Sequence, residues 1–167
     1  MLRVIFDTNI YGFLLKEDDS EEIEERIRAD KEFLVYNFKP IRIEIREIPK
    51  ITKLSKRTRN SLLALYDRIT GKHFLENSIK ITELAKKYYD CYRNFGGIYG
   101  WDTSIRIDFM IVACATFHGL DVVYSADSKT MLCKTALKSY RHINLKESFR
   151  TPDFLEYEDL LAKFRSL

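Results

Sequence analysis

Val4-Ile5-Phe6-Asp7-Thr8-Asn9 decides how the chain is read, because a β-branched and aromatic run ends there on a carboxylate. Such a run predicts a short buried strand over about Leu2 to Phe6. Asp7 then stands where the strand stops and a short helix begins, around Ile10 to Leu15. In a parallel α/β sheet ligands collect outside the carboxyl ends of strands, so the position suits chemistry. An N-cap on the following helix explains the same residue. Other acids in matching places decide between the two.

The rest of the chain alternates in the same way. Asp18-Asp19-Ser20 predicts the cap of a charged helix over Glu21 to Ala29, with acids at its start and arginines near its end. Phe33 to Tyr36 reads as a second strand. Lys39-Pro40 opens a helix running to Ile48, where Pro49 interrupts it. Further helices are expected over Arg57 to Thr70 and Ile79 to Tyr92, then a glycine-rich mobile loop before Asp102. Ile105 to Phe117 is apolar nearly all round and should be a buried helix. Asp121 to Tyr124 reads as a strand, Ser128 to Ser139 as a helix, His142 to Leu145 as a last strand, and Phe154 to Phe164 as a closing helix. Strands alternating with helices argue for a parallel sheet covered on both faces.

Composition narrows the class. The chain has 167 residues, 46% hydrophobic and 32% charged, with no linker or repeat, which fits one soluble globular domain over residues 1–167. No apolar run approaches a membrane span, and the first apolar segment ends at Asp7 without a signal peptide, so no membrane partner and cytoplasmic residence are expected. Cys91, Cys114 and Cys133 are odd in number and widely spaced, and His73, His118 and His142 are scattered, so neither a disulfide framework nor a zinc site can be drawn. A net charge of +3 permits a polyanionic partner without demanding one.

Three acids join Asp7. Glu44 falls on the apolar stripe of Ile41, Ile45 and Ile48, where it must snorkel, pair with Arg42 or Arg46, or meet a metal. Asp108 interrupts the greasy run Ile105 to Ala113, and Arg106, two residues away, is on another face. An aqueous cleft accounts for it better than an ion pair. Val122-Val123-Tyr124-Ser125-Ala126-Asp127 repeats the opening design, with a helix cap again the plainer explanation of its acid. Four acids at strand exits and buried faces repel one another unless a cation joins them. Hard oxygen donors without His or Cys select Mg²⁺ or Mn²⁺ over Zn²⁺.

Phe6-Asp7-Thr8-Asn9-Ile10, with Glu44, Asp108 in Asp108-Phe109-Met110-Ile111-Val112-Ala113-Cys114-Ala115, Asp127 in Ser125-Ala126-Asp127 and the segment Thr151-Pro152-Asp153-Phe154-Leu155, resembles the PIN domain, a metal-dependent nuclease family. The resemblance spans nearly the whole chain. It implies a three-layer α/β/α fold with a central parallel sheet of four or five strands. It also implies a divalent-metal-dependent ribonuclease with Asp7, Glu44, Asp108 and Asp127 as catalytic acids. Asp7, Asp108 and Asp127 would hold the metal, directly or through water, and the ion would bind a phosphate oxygen and acidify an attacking water. Asn9 and Ser125 are expected to orient ligands or water, or else to serve turns and caps. Asp102 is a weaker extra acid.

Many small prokaryotic members of the family are toxin ribonucleases paired with an antitoxin protein, others process or degrade RNA in larger machines, and small members are often homodimers. This chain is longer, with its extra length in Lys50 to Tyr99. A non-catalytic scaffold in an RNA-processing assembly, a structure-specific DNA nuclease and a phosphatase are the alternatives. RNA reaching an acidic pocket needs a basic rim. Lys50, Lys53, Lys56, Arg57 and Arg59 offer one, Lys53 and Arg57 foremost, and Tyr88, Tyr89, Tyr92, Phe95, Tyr99 and Trp101 offer stacking surfaces beside Arg93. The plainer reading makes the basic run a solvated face and the aromatics core.

Overall fold

A computed structural model describes residues 1–48 and 53–165, with the side chains of Lys53 and Leu54 excepted. The opening run forms β1 (Leu2–Phe6), in which Val4, Ile5 and Phe6 are all fully buried. Successive side chains of a strand point to opposite faces, so three buried in a row require layers on both sides. Those layers are helical. The order continues α1 (Thr8–Lys16), α2 (Ser20–Ala29), β2 (Phe33–Val35), β3 (Asn37–Phe38), α3 (Lys39–Arg46), α4 (Lys53–Thr70), β4 (Phe74–Leu75) and α5 (Ile79–Asn94). It ends with α6 (Ile105–Phe117), β5 (Val122–Tyr124), α7 (Lys134–Lys146), β6 (Asp153–Leu155) and α8 (Tyr157–Arg165).

The central sheet has the order β2-β1-β5-β6 and is parallel throughout, giving the three-layer α/β/α architecture. Its register aligns Val4 with Val35 and Val122, and Phe6 with Tyr124. The residues just beyond β1 and β5 therefore leave the sheet side by side. The helices form two groups: α5 packs on α6 and α7, while α1 meets α2, α3 and α4, and α2 meets α8. Helix α6 touches both central strands and α3, which explains why it is apolar nearly all round.

Several expectations are corrected. The second strand divides: Tyr36 still donates its N–H to the Val4 carbonyl (2.9 Å), but β3 then pairs with β4 in a separate two-stranded parallel sheet. Residues 128–133 form turns, and α7 begins only at Lys134, with Cys133 Sγ accepting from Ala136 N–H (3.4 Å). His142 to Leu145 are thus helical, not a strand. Their helix is set by a buried face of Ala136, Tyr140 and Asn144 at four-residue spacing, and a polar Asn hides that period from a hydrophobic pattern. The last strand is instead β6, placed in sequence at the head of the closing helix. Pro152 biases Thr151 away from helix and leads the chain in extended. The α3 helix stops at Arg46, and Pro49 lies outside the described residues.

The aromatic segment divides: Tyr89 and Trp101 are half-buried against the core, and Phe95 and Tyr99 are exposed. Tyr88 and Tyr92 lie on the buried face of α5, and the chain turns after it through Gly96 at φ +95°. Gly97 admits no side chain, since a Cβ would come within 2.3 Å of the Tyr92 ring. A buried polar node holds this half together. Tyr88 Oη donates to Asn144 Oδ1 (2.5 Å), and Asn144 Nδ2 donates to Thr151 Oγ1 (3.0 Å), joining α5, α7 and the approach to β6. Asn144→Ala should leave the Tyr88 hydroxyl only Thr116 Oγ1 (3.1 Å), deprive Thr151 of its donor and lower stability by about 1–3 kcal/mol in chemical denaturation. An unchanged midpoint would show that the node contributes nothing.

Candidate functional site

Parallel pairing brings the first and last acids of the set together. Asp7 N–H donates to the Tyr124 carbonyl (2.9 Å), so the Asp7 side chain leaves β1 beside Ser125, the first residue after β5. Ser125 Oγ donates to Asp7 Oδ2 (2.7 Å) and accepts from Asp127 N–H (3.0 Å). Asn9 Oδ1 accepts from the Ala126 N–H (3.2 Å). Ser125 and Asn9 thereby brace the junction of the two loops. Asp7 also caps α1, accepting the Thr8 N–H at Oδ1 (2.7 Å). One oxygen serves the helix and the other faces its neighbours, so the cap does not exclude a second role.

Asp127 closes a turn instead of capping a helix. Its Oδ1 accepts the N–H groups of Lys129 (2.9 Å) and Thr130 (3.0 Å). Its Oδ2 meets the Thr130 hydroxyl, which also meets Asp108 Oδ2, reaching in from the first turn of α6. Thr130 was not singled out in the sequence, although its place three residues after Asp127 suits a turn partner. A hydroxyl has one proton to give. Set between two carboxylates, it donates to one and accepts from the other only if that one is protonated.

The electrostatics agree. Asp7 is 4% exposed and Asp108 5%. Burial drives the Asp108 carboxyl well above the usual carboxylate range, and Asp7, Asp127 and Glu44 push it further, against the Thr130 hydrogen bond. Burial raises Asp7 too, opposed by the Ser125 and Thr8 hydrogen bonds and aided by Asp127. Glu44, half-buried on α3, is pushed up to about 7 by burial and then by Asp7. The Thr8 hydroxyl favours its ionised form, yet that oxygen is buried without a hydrogen-bond partner of ordinary geometry. Among the described residues, none of the four acids is in an ion pair.

This donor set, all hard oxygen with excess negative charge, has the chemistry of a Mg²⁺ or Mn²⁺ site. Its spacing is looser than a closed cage. Among the described residues, no three Asp, Glu, His or Cys side chains are placed to hold an ion directly, because Ser125 and Thr130 stand between the acids. Beside Glu44 a cleft of about 300 Å³ opens between α3 and α6, where Glu47, Arg106 and Met110 also line it. Arg106 faces the same opening as Glu44, a convergence that its distance from Glu44 in sequence conceals.

The expected basic rim divides. Lys50 and the Lys53 side chain lie outside the described residues. Lys56 and Arg57 are exposed along a shallow groove of α4 with Asn60 and Ser61. Arg59 is 5% exposed and so does not belong to a rim. It shares the buried face of α4 with Leu62 and Tyr66, three and seven residues on. Asp102 is exposed in the turn before α6.

Comparison of the chain with known protein families and with curated proteins yields no match. The site's chemistry must therefore be tested directly, and its protons offer the first handle. The unfolded chain releases its carboxyl protons from about pH 4, whereas the folded site holds them until about pH 7 at Glu44. Between those limits the folded state binds more protons, so this site's contribution to stability falls as pH rises. In metal-free buffer, Asp108→Asn should stabilise the protein at pH 8 by on the order of 2 kcal/mol and change it little at pH 4. Urea titrations at both pH values check the sign, and a larger gain at pH 4 would refute the repulsion.

Proposed function

We propose that the chain is a divalent-metal-dependent nuclease of the PIN type that hydrolyses phosphodiester bonds, with RNA as its substrate. The observation that carries this reading is the gathering of Asp7, Asp108, Asp127 and Glu44 from four separate parts of the chain without a cationic partner among the described residues. Burying mutually repelling carboxylates lowers stability, which is understandable where a ligand supplies the missing charge. Asp7, Asp108 and Asp127 would hold Mg²⁺ or Mn²⁺, in part through water. Bound there, the ion would polarise a phosphate oxygen and acidify a water. Ser125 and Asn9 fix Asp7 and the Asp127 loop, Thr130 holds Asp108 and Asp127 in place, and Glu44 stands at the mouth where Arg106 can meet a phosphate. A toxin paired with an antitoxin is one biological setting for such an enzyme.

One observation favours a second reading. The acids are not spaced to grip an ion directly among the described residues, as a non-catalytic subunit of an RNA-processing assembly would allow. Metal titration separates the two. The nuclease reading expects Mn²⁺ to raise the thermal midpoint of the wild type but not of Asp7→Asn or Asp108→Asn. It also expects both variants, with circular dichroism unchanged, to lose metal-dependent cleavage of single-stranded RNA by on the order of 10²-fold or more. Cleavage that survives both substitutions refutes the mechanism, and faster cleavage of flap or single-stranded DNA would move the substrate to DNA.

A further inference from the structure

Outside the carboxylate site, the exposed side of α7 carries lysines and a histidine at a regular interval. Lys134, Lys138, His142 and Lys146 recur every four residues, and all are exposed. Each such step sets neighbouring side chains about 6 Å apart and turns the stripe by about 40° around the helix. Among the described residues, the ion pair beside this stripe is Lys87 with Glu147 (2.8 Å), and the three lysines of the stripe belong to none.

Phe95, just past the end of α5, lies against the middle of the stripe. Lys138 Nζ is 4.3 Å from its ring centroid, and the His142 ring meets it edge-on at 5.6 Å. Phe95 is 36% exposed. A groove of about 370 Å³ runs between α5 and α7 at this point, lined by Asn94, Phe95, His142 and Lys146, with Asp90 on its α5 side. The stripe also starts at the site. Lys134 follows Thr130 by four residues, and the buried Tyr140 hydroxyl donates to the Met131 carbonyl (2.8 Å), fixing α7 to the turn that carries Asp127 and Thr130. From there the stripe leads away for about 18 Å.

Lysines at regular intervals suit successive phosphates, and a partly exposed aromatic ring with a lysine over its face suits an unpaired base. An acidic protein segment would match the lysines but leave Phe95 without a flat partner. We propose that the α7 stripe and Phe95 form a track for single-stranded RNA that delivers the strand to the carboxylates. The track deepens the nuclease reading, and rests on it for what happens at its end.

Binding measured without cleavage tests the two separately. Fluorescence anisotropy with a fluorescein-labelled oligouridine in excess chelator should show Lys138→Glu and Phe95→Ala each weakening binding by about tenfold. Lys138→Glu should also flatten the log–log salt dependence by about 0.7 or more, while Phe95→Ala leaves that slope unchanged. Lys31→Glu, which changes the same charge just before β2 at the opposite ends of the strands, should bind as the wild type does. Equal weakening by Lys31→Glu, absence of RNA binding by the wild type, or stronger binding of a polyglutamate peptide at the same stripe would overturn the track. If Lys138 and Phe95 govern binding but no metal-dependent cleavage is found, the track stands and the nuclease reading falls. If the enzyme cleaves RNA while both variants bind normally, the track falls and the nuclease reading stands.

Discussion

Two parallel strands that end side by side, each delivering an acid into a space already occupied by another, are the constraint on which this structure turns. The register that pairs Phe6 with Tyr124 fixes Asp7 next to Ser125, and the turn after Ser125 brings Asp127 into the same region. Asp108 arrives from α6, a helix so apolar that it has nowhere to go but against the central strands. The hydrophobic effect that builds the sheet and its covering layers thus forces like charges together. Hydroxyl groups and a bound proton make the arrangement tolerable: Ser125 holds Asp7, and Thr130 stands between Asp108 and Asp127. Neither hydroxyl supplies a positive charge. Burial first, and neighbouring carboxylates after it, raise the carboxyls of Asp7, Glu44 and Asp108.

That residue of repulsion bears on how the spacing should be read. Carboxylates without a cation separate, or share a proton through whatever donor lies between them, and Thr130 is such a donor. The open spacing suits an ion held in part through water, as it suits a site that takes no ion. The two differ in whether an added divalent cation raises stability.

The central strands were legible because each is a dense β-branched run with a carboxylate or a turn at its end, as at Val4 to Asp7 and Val122 to Asp127. Helix α6 was legible because polar residues are nearly missing from it. Four acids could be picked out singly as awkward, and the fold places Asp7, Asp108 and Asp127 within reach of shared hydroxyls. What escaped the sequence is of another kind. Asn144 is a polar residue on a buried face, so the period of α7 is hidden and its second half passes for a strand. Thr130 and Arg106 matter through neighbours far away in sequence, and a pattern along the chain contains no such distances. Arg59 misled in the opposite sense, because a basic cluster in sequence does not reveal which cation turns inward.

Charge geography connects the site to the surface around it. With a net charge of only +3, the protein cannot attract a polyanion by its overall field, so any steering has to come from local arrangement. An acidic pocket repels phosphate at short range, and within about a Debye length a row of lysines on one helix, in no ion pair among the described residues, can offset that repulsion. On α7 the row is anchored through Tyr140 to the very turn that holds Asp127. The lysines thus begin just past the turn that carries Asp127 and Thr130. On the proposed track, a strand following the helix would bring a phosphate to the acids, where a divalent cation would offset the charge of both.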